Sequence, residues 1–161
     1  MNRKGFTLVE LLAVIAIMAV IILIAIPNVM KSINEGKKNS FGNEVATLMS
    51  TAKSNFNLDK GRETIKFTIK DGKRIATYCQ NWTEDEDCQN SFSTENGSKM
   101  KYKVMLDIDG KIQYMYVTDN RFYYGCYEEY DCESFVSVRV LDTASGDAAP
   151  SLDEDYVIKV K

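Results

Sequence analysis

The chain has 161 residues, 45% hydrophobic and 27% charged, with 20 basic against 23 acidic side chains, a formal charge of −3 and no histidine. That length holds one domain with one modest core, and the charge balance leaves no broad basic footprint for nucleic acid. Without histidine, neither a Ser-His-Asp or Cys-His catalytic constellation nor a mixed Cys/His metal site can form, and no Walker A or G-x-G-x-x-G sequence occurs.

The first element is an apolar run. From Phe6 to Ile26 there are 21 residues, all uncharged except Glu10. As a helix this run spans about 30 Å, the thickness of a bilayer's hydrocarbon core. It is too long for the h-region of a secretory signal peptide, and no A-x-A site follows it, so it reads as a retained anchor. A carboxylate inside such a segment costs about 2.5–3.5 kcal/mol at mid-bilayer and less near the edge, which marks Glu10 as functional. Lys31, Lys37 and Lys38 beyond the run offset Arg3, Lys4 and the terminal amine, so Lys/Arg counting does not settle orientation.

Beyond Pro27 the helical pattern resumes. Ile33, Phe41, Val45, Leu48, Ala52 and Phe56 recur largely at three- and four-residue steps with polar residues between them, the pattern of an amphipathic helix. Pro27 removes a backbone donor and is expected to kink or loosen the helix without ending it. The element would run from about Phe6 to about Leu58, about 80 Å long, more than a small core can bury.

After Gly61 the period changes to alternation. Ile65, Phe67 and Ile69 alternate with polar residues, Asp71-Gly72 supplies a turn, and a strand returns over 75–79. A second hairpin has Tyr102, Val104, Leu106 and Ile108 on one face, a turn at Asp109-Gly110, and Ile112, Tyr114 and Tyr116 returning. Strands are also expected over 134–141 and 156–160, separated by a loop over 143–151. Helix first and antiparallel strands after is an α+β order.

Cys79, Cys88, Cys126 and Cys132 all lie in the polar part, and an even number in a membrane-tethered chain points to disulfides in an exported head. A Cys₄ zinc site is the rival, but its paired ligands are usually two to four residues apart, whereas eight and five residues intervene here. Four cysteines allow three connectivities; strands flanking a short loop over 127–131 favour the local pairs 79–88 and 126–132. The acidic clusters Glu84-Asp85-Glu86-Asp87, Glu128-Glu129 and Asp153-Glu154-Asp155 lack the spacing of a calcium loop and read as solvated surface. No metal or cofactor is expected. Ser50-Thr51-Ala52-Lys53 matches S-x-x-K without the S-D-N and K-T-G that accompany it in penicillin-binding proteins, a coincidence on the amphipathic helix. Asn81-Trp82-Thr83 and Asn96-Gly97-Ser98 match the short glycosylation sequon and are read as surface loops.

Arg3-Lys4-Gly5 followed by Phe6-Thr7-Leu8-Val9-Glu10, then the apolar run and Pro27, resembles the class III signal of type IV prepilins and pseudopilins. The resemblance covers about thirty residues; the remainder is similar to that family in architecture, a long N-terminal helix packed on a C-terminal antiparallel sheet. It implies a leader over 1–5, cut after Gly5 by a prepilin peptidase that N-methylates Phe6. It also implies a membrane and filament-core helix over 6–30, and an amphipathic helix with a β-sheet head over 31–161. Before assembly the subunit would cross the cytoplasmic membrane once with its head exported, in contact with lipid. An assembly ATPase and a platform protein would then draw it into a self-associated helical filament at the cell surface, serving adhesion, motility or DNA uptake. Glu10 and Pro27 would act in assembly, Glu10 meeting the Phe6 amine of a neighbouring subunit. Many members have glycine where this chain has Ala19, and alanine raises local helix propensity by about 0.8–1 kcal/mol. The resemblance implies a structural subunit and not an enzyme, with a secretion or competence pseudopilin as alternative and a membrane-anchored enzyme or receptor as the reading from another class.

Overall fold

The computed structural model describes residues 7–82, 88, 90–92, 100–127, 132, 140–143, 151, 152, 158 and 159. Among them is one helix, α1 (Leu8–Gly61), followed by strands β1 (Thr68–Lys70), β2 (Lys73–Gln80), β3 (Lys101–Leu106), β4 (Ile112–Thr118), β5 (Phe122–Tyr127), β6 (Leu141–Asp142), β7 (Ser151–Leu152) and β8 (Ile158–Lys159). β1 to β6 form one sheet in sequential order, antiparallel throughout, and β7 pairs with β8. The chain divides into two compact units, 1–37 and 38–161.

In the first unit α1 runs unbroken through Ala19 and Pro27. Every residue from 7 to 33 is exposed, including Ile33 at 45%, which therefore stands outside the buried stripe expected of it.

In the second unit α1 buries Phe41, Gly42, Val45, Leu48, Met49, Ala52 and Phe56. Steps of one, three and four residues keep these on one face, and that face packs on the inner face of the sheet. The shared core contains Tyr78, Tyr102, Val104, Leu106, Ile112, Met115, Val117, Phe122, Tyr124 and Cys126. Phe41 meets Phe122 with ring centroids 5.6 Å apart, and Phe56 meets Phe67 edge-on at 6.3 Å. The helix end is pinned by polar contacts: the Tyr78 hydroxyl donates to Asp59 Oδ2 at 2.8 Å, and Lys60 Nζ donates to the Ile108 carbonyl at 2.7 Å.

The hairpins fall at the expected turns, with two corrections. Leu106 pairs with Ile112 while Met105 pairs with Tyr114, so Gln113 is an extra residue in β4. A bulge of this kind reverses which side chains face the core. Ile112 therefore points inward with Met115 and Val117, whereas Tyr114 and Tyr116 form a smaller cluster with Ile75 and Met105 on the opposite face. Ile65 and Phe67 reach the core, but Ile69 is 81% exposed and Ile108, beyond the end of β3, is 47% exposed. The second correction concerns the expected 143–151 loop. Ser151 belongs to β7, opposite Lys159; residues 144–150, 133–139, 153–157 and 160 lie outside the described set, so the strands expected over 134–141 and 156–160 are seen as Leu141–Asp142 and Ile158–Lys159.

Cys79 is bonded to Cys88 and Cys126 to Cys132, with Cα separations of 5.5 and 5.6 Å. The first bridge brings the chain back beside β2, where Asn90 stitches the sheet edge. Its Nδ2 donates to the Lys66 and Thr77 carbonyls at 3.0 and 3.1 Å, its Oδ1 accepts the Lys66 N–H at 3.2 Å, and its carbonyl accepts the Cys79 N–H at 3.1 Å. At the far edge Arg121 makes two bonds of 3.0 Å to the buried Asp142, holding β6 against the β4–β5 turn.

Two predictions follow from this packing. Gly110 has φ +81°, and a Cβ there would lie 3.0 Å from two atoms of the Phe56 ring, whereas Gly72, at φ +73°, has open space. Gly72→Ala is expected to lose about 1 kcal/mol from backbone strain alone, and Gly110→Ala about 1–3 kcal/mol more from crowding; equal losses in denaturant unfolding would contradict the Phe56 contact. Burial pushes the phenols of Tyr102 and Tyr116 up to about 12 from 10.0. The unfolded chain then releases these protons first, so stability is full below pH 10 and falls as pH rises toward 12. An unfolding midpoint that did not move across that interval would refute the assignment.

Candidate functional site

The acid in the apolar run lies in the first turn of α1. Thr7 is the last non-helical residue, and the first helical bond runs from the Leu11 N–H to the Thr7 carbonyl at 3.2 Å. The Glu10 N–H donates to Thr7 Oγ1 at 3.3 Å. In return Glu10 Oε2 accepts the Thr7 N–H at 2.8 Å and the Thr7 hydroxyl at 2.9 Å. This is a reciprocal capping box: two N–H groups without partners in the helix are satisfied by side chains, and the carboxylate sits at the positive end of the helix dipole. The T-x-x-E spacing was present in the sequence, where it is masked by the apolar context and by the attention an acid in such a run draws to itself.

From Leu11 to Met30 there is no charged residue, and the chain's own fold buries none of that surface. The helix is long and apolar enough to cross a membrane by length and composition. Ile22, Ala25, Ile26, Val29 and Met30 line a shallow apolar depression beside Pro27.

The expected site residues thus fall in separate places. Glu10 is brought to Thr7. Pro27 lies seventeen positions further along the same helix, about 25 Å away. The four cysteines belong to the second unit and are engaged in disulfides. Gly5 and Phe6 lie outside the described residues. Among the described residues no group of three or more His, Cys, Asp or Glu side chains could hold a metal ion. Ser50 of the S-x-x-K match donates its hydroxyl to the Thr47 carbonyl at 2.8 Å on the helix surface. Asn81 of the first sequon is exposed but spends its amide on the Met100 carbonyl at 2.8 Å; Asn96 of the second lies outside the described residues.

Thr7→Ala removes the acceptor for the Glu10 N–H. A lost N-cap costs about 1 kcal/mol, roughly a fivefold change in a local equilibrium. Amide exchange at Glu10, followed by NMR in micelles, should quicken about fivefold while amides near Phe56 stay unchanged; unaltered exchange at Glu10 would mean the cap does not form.

Residues 1–26 match the family model described as the prokaryotic N-terminal methylation motif. No curated protein and no solved structure matches the chain.

Proposed function

We propose that this chain, a type IV pilin- or pseudopilin-like protein by its methylation motif and class III signal, is a structural subunit of a type IV pilus. As a member of that class it is a non-enzymatic protein and a substrate of the peptidase that processes such signals. The observation that carries the reading is the uncovered length of α1. Every residue from 7 to 33 is exposed, and apolar surface of that extent needs lipid or other protein around it. A subunit stored in the cytoplasmic membrane and then packed among copies of itself in an extracellular filament meets both requirements with one helix.

In this reading residues 1–5 are a leader removed between Gly5 and Phe6, and Phe6 is then N-methylated. Residues 6–30 cross the membrane and later form the filament core, and residues 31–161 carry the amphipathic helix and head. The platform protein and ATPase of the assembly apparatus act on the processed subunit. Glu10, tied to Thr7 within its own helix, exchanges that partner in the filament for the Phe6 α-amine of a neighbouring copy. Among apolar side chains, removing one partner of such a pair costs about 3–5 kcal/mol.

The test separates the cap from the charge. Glutamine serves at the third helical position of a capping box but carries no charge. Glu10→Gln and Glu10→Ala subunits are expected to insert and to be cut after Gly5, and both to be depleted at least a hundredfold from filaments sheared off the cell surface. Mass spectrometry of that fraction reads abundance and mature N-terminus together. Wild-type incorporation of Glu10→Gln would leave the acid only its capping role, an uncut leader in filaments would overturn the processing site, and wild-type chain confined to short envelope-spanning fibres would favour a pseudopilin.

A further inference from the structure

The head carries opposite charges toward the two ends of β2. Residues 60–74 hold Lys60, Arg62, Lys66, Lys70, Lys73 and Arg74 against Glu63 and Asp71, in a chain whose formal charge is −3. All six bases are exposed except Lys70, which is half-buried. The fold brings the end of α1, the β1–β2 hairpin and the β3–β4 turn together, adding the exposed Lys111. It also fixes two of the cations on aromatic rings: Arg74 lies 4.7 Å from the Phe67 centroid and Lys60 5.7 Å from that of Phe56.

Acids are present at the same end, but two are committed inside the fold. Asp59 Oδ2 holds the Tyr78 hydroxyl. Asp107 accepts the Asp109 and Lys111 N–H groups at 2.9 Å and the Gln113 side chain at 2.7 Å. Glu63, Asp71 and Asp109 remain as the counter-charges facing solvent there.

At the opposite end of β2, eight residues and about 26 Å away, the Cys79–Cys88 bridge closes the segment that contains Glu84-Asp85-Glu86-Asp87. We infer that the basic β1–β2 end of the head is a docking surface for this acidic segment of a second copy of the chain. The inference rests on the filament reading and gives its heads a direction. Two unlike surfaces on one subunit make a heterologous contact, which leaves a basic and an acidic end unpaired after every addition and so continues without closing. A single exposed ion pair contributes little, so the contact depends on several charges acting together and weakens with salt.

The experiment uses full chain labelled with ¹⁴N and ¹⁵N, mixed, and treated with a zero-length carbodiimide, both solubilised in detergent and in sheared surface filaments. Mixed-isotope amide links from Lys66, Lys70 or Lys73 to residues 84–87 are expected, falling at least tenfold in 1 M salt (about a 3 Å Debye length). The same loss is expected in Lys66→Glu/Lys73→Glu, with both disulfides and the thermal transition retained. Adding Glu84→Lys/Glu86→Lys to that variant should restore the links. Absence of mixed-isotope links in both preparations, or their persistence in the double variant, overturns the inference. Links in detergent with no chain in sheared filaments would support the surface while removing the filament reading.

Discussion

Everything else in this protein follows from a helix that its own fold covers for only part of its length. α1 has 54 residues, and its buried positions begin at Phe41. Apolar surface left in water is unfavourable by about 25 cal/mol per Å², so the exposed residues before that point require a second environment. The helix is thus two elements joined end to end without an interruption in hydrogen bonding. One part has a polar face and a packed face; the other is apolar all round. Pro27 falls in the second part, where the missing donor and the ring's crowding of the preceding turn are tolerated without a break in the helix.

The head is organised around the packed face of that helix. Phe41, Val45, Leu48, Met49, Ala52 and Phe56 cover the inner face of a sequentially ordered antiparallel sheet. Because consecutive strands are neighbours, most of the sheet closes through short turns, and the turns themselves are fixed by side chains. Asp107 and Asp119 each accept two backbone N–H groups of the loop that follows them. The disulfides staple short returns onto β2 and beside β5, and in chain-entropy terms each stabilises a small head by about 2–3 kcal/mol.

Glu10 shows how one residue serves two environments. In the single chain its carboxylate completes a capping box with Thr7, so the acid at the edge of an apolar helix is hydrogen-bonded before any partner arrives. That lowers the cost of holding it there. An incoming cation must then offer more than Thr7 does, which makes the exchange selective for a charged partner.

The sequence by itself determined the apolar span, the place of the acid, the amphipathic continuation and the turns at Asp71-Gly72 and Asp109-Gly110, because each depends on local period or on the φ of one or two residues. It also favoured the cysteine pairs, since a few residues of chain limit how far apart two thiols can be. Tertiary structure decided the rest. Gln113 inserts a residue into β4, and no local signal says that Tyr114 and Tyr116 leave the core while Met115 and Val117 enter it. Ile33 and Ile69 carry the right residue type at the right spacing, yet nothing packs over them, because burial requires a facing surface as well as a periodic pattern. Asn90 and Arg121 hold the sheet edges through partners 24 and 21 residues distant, which only the folded chain brings within hydrogen-bonding range.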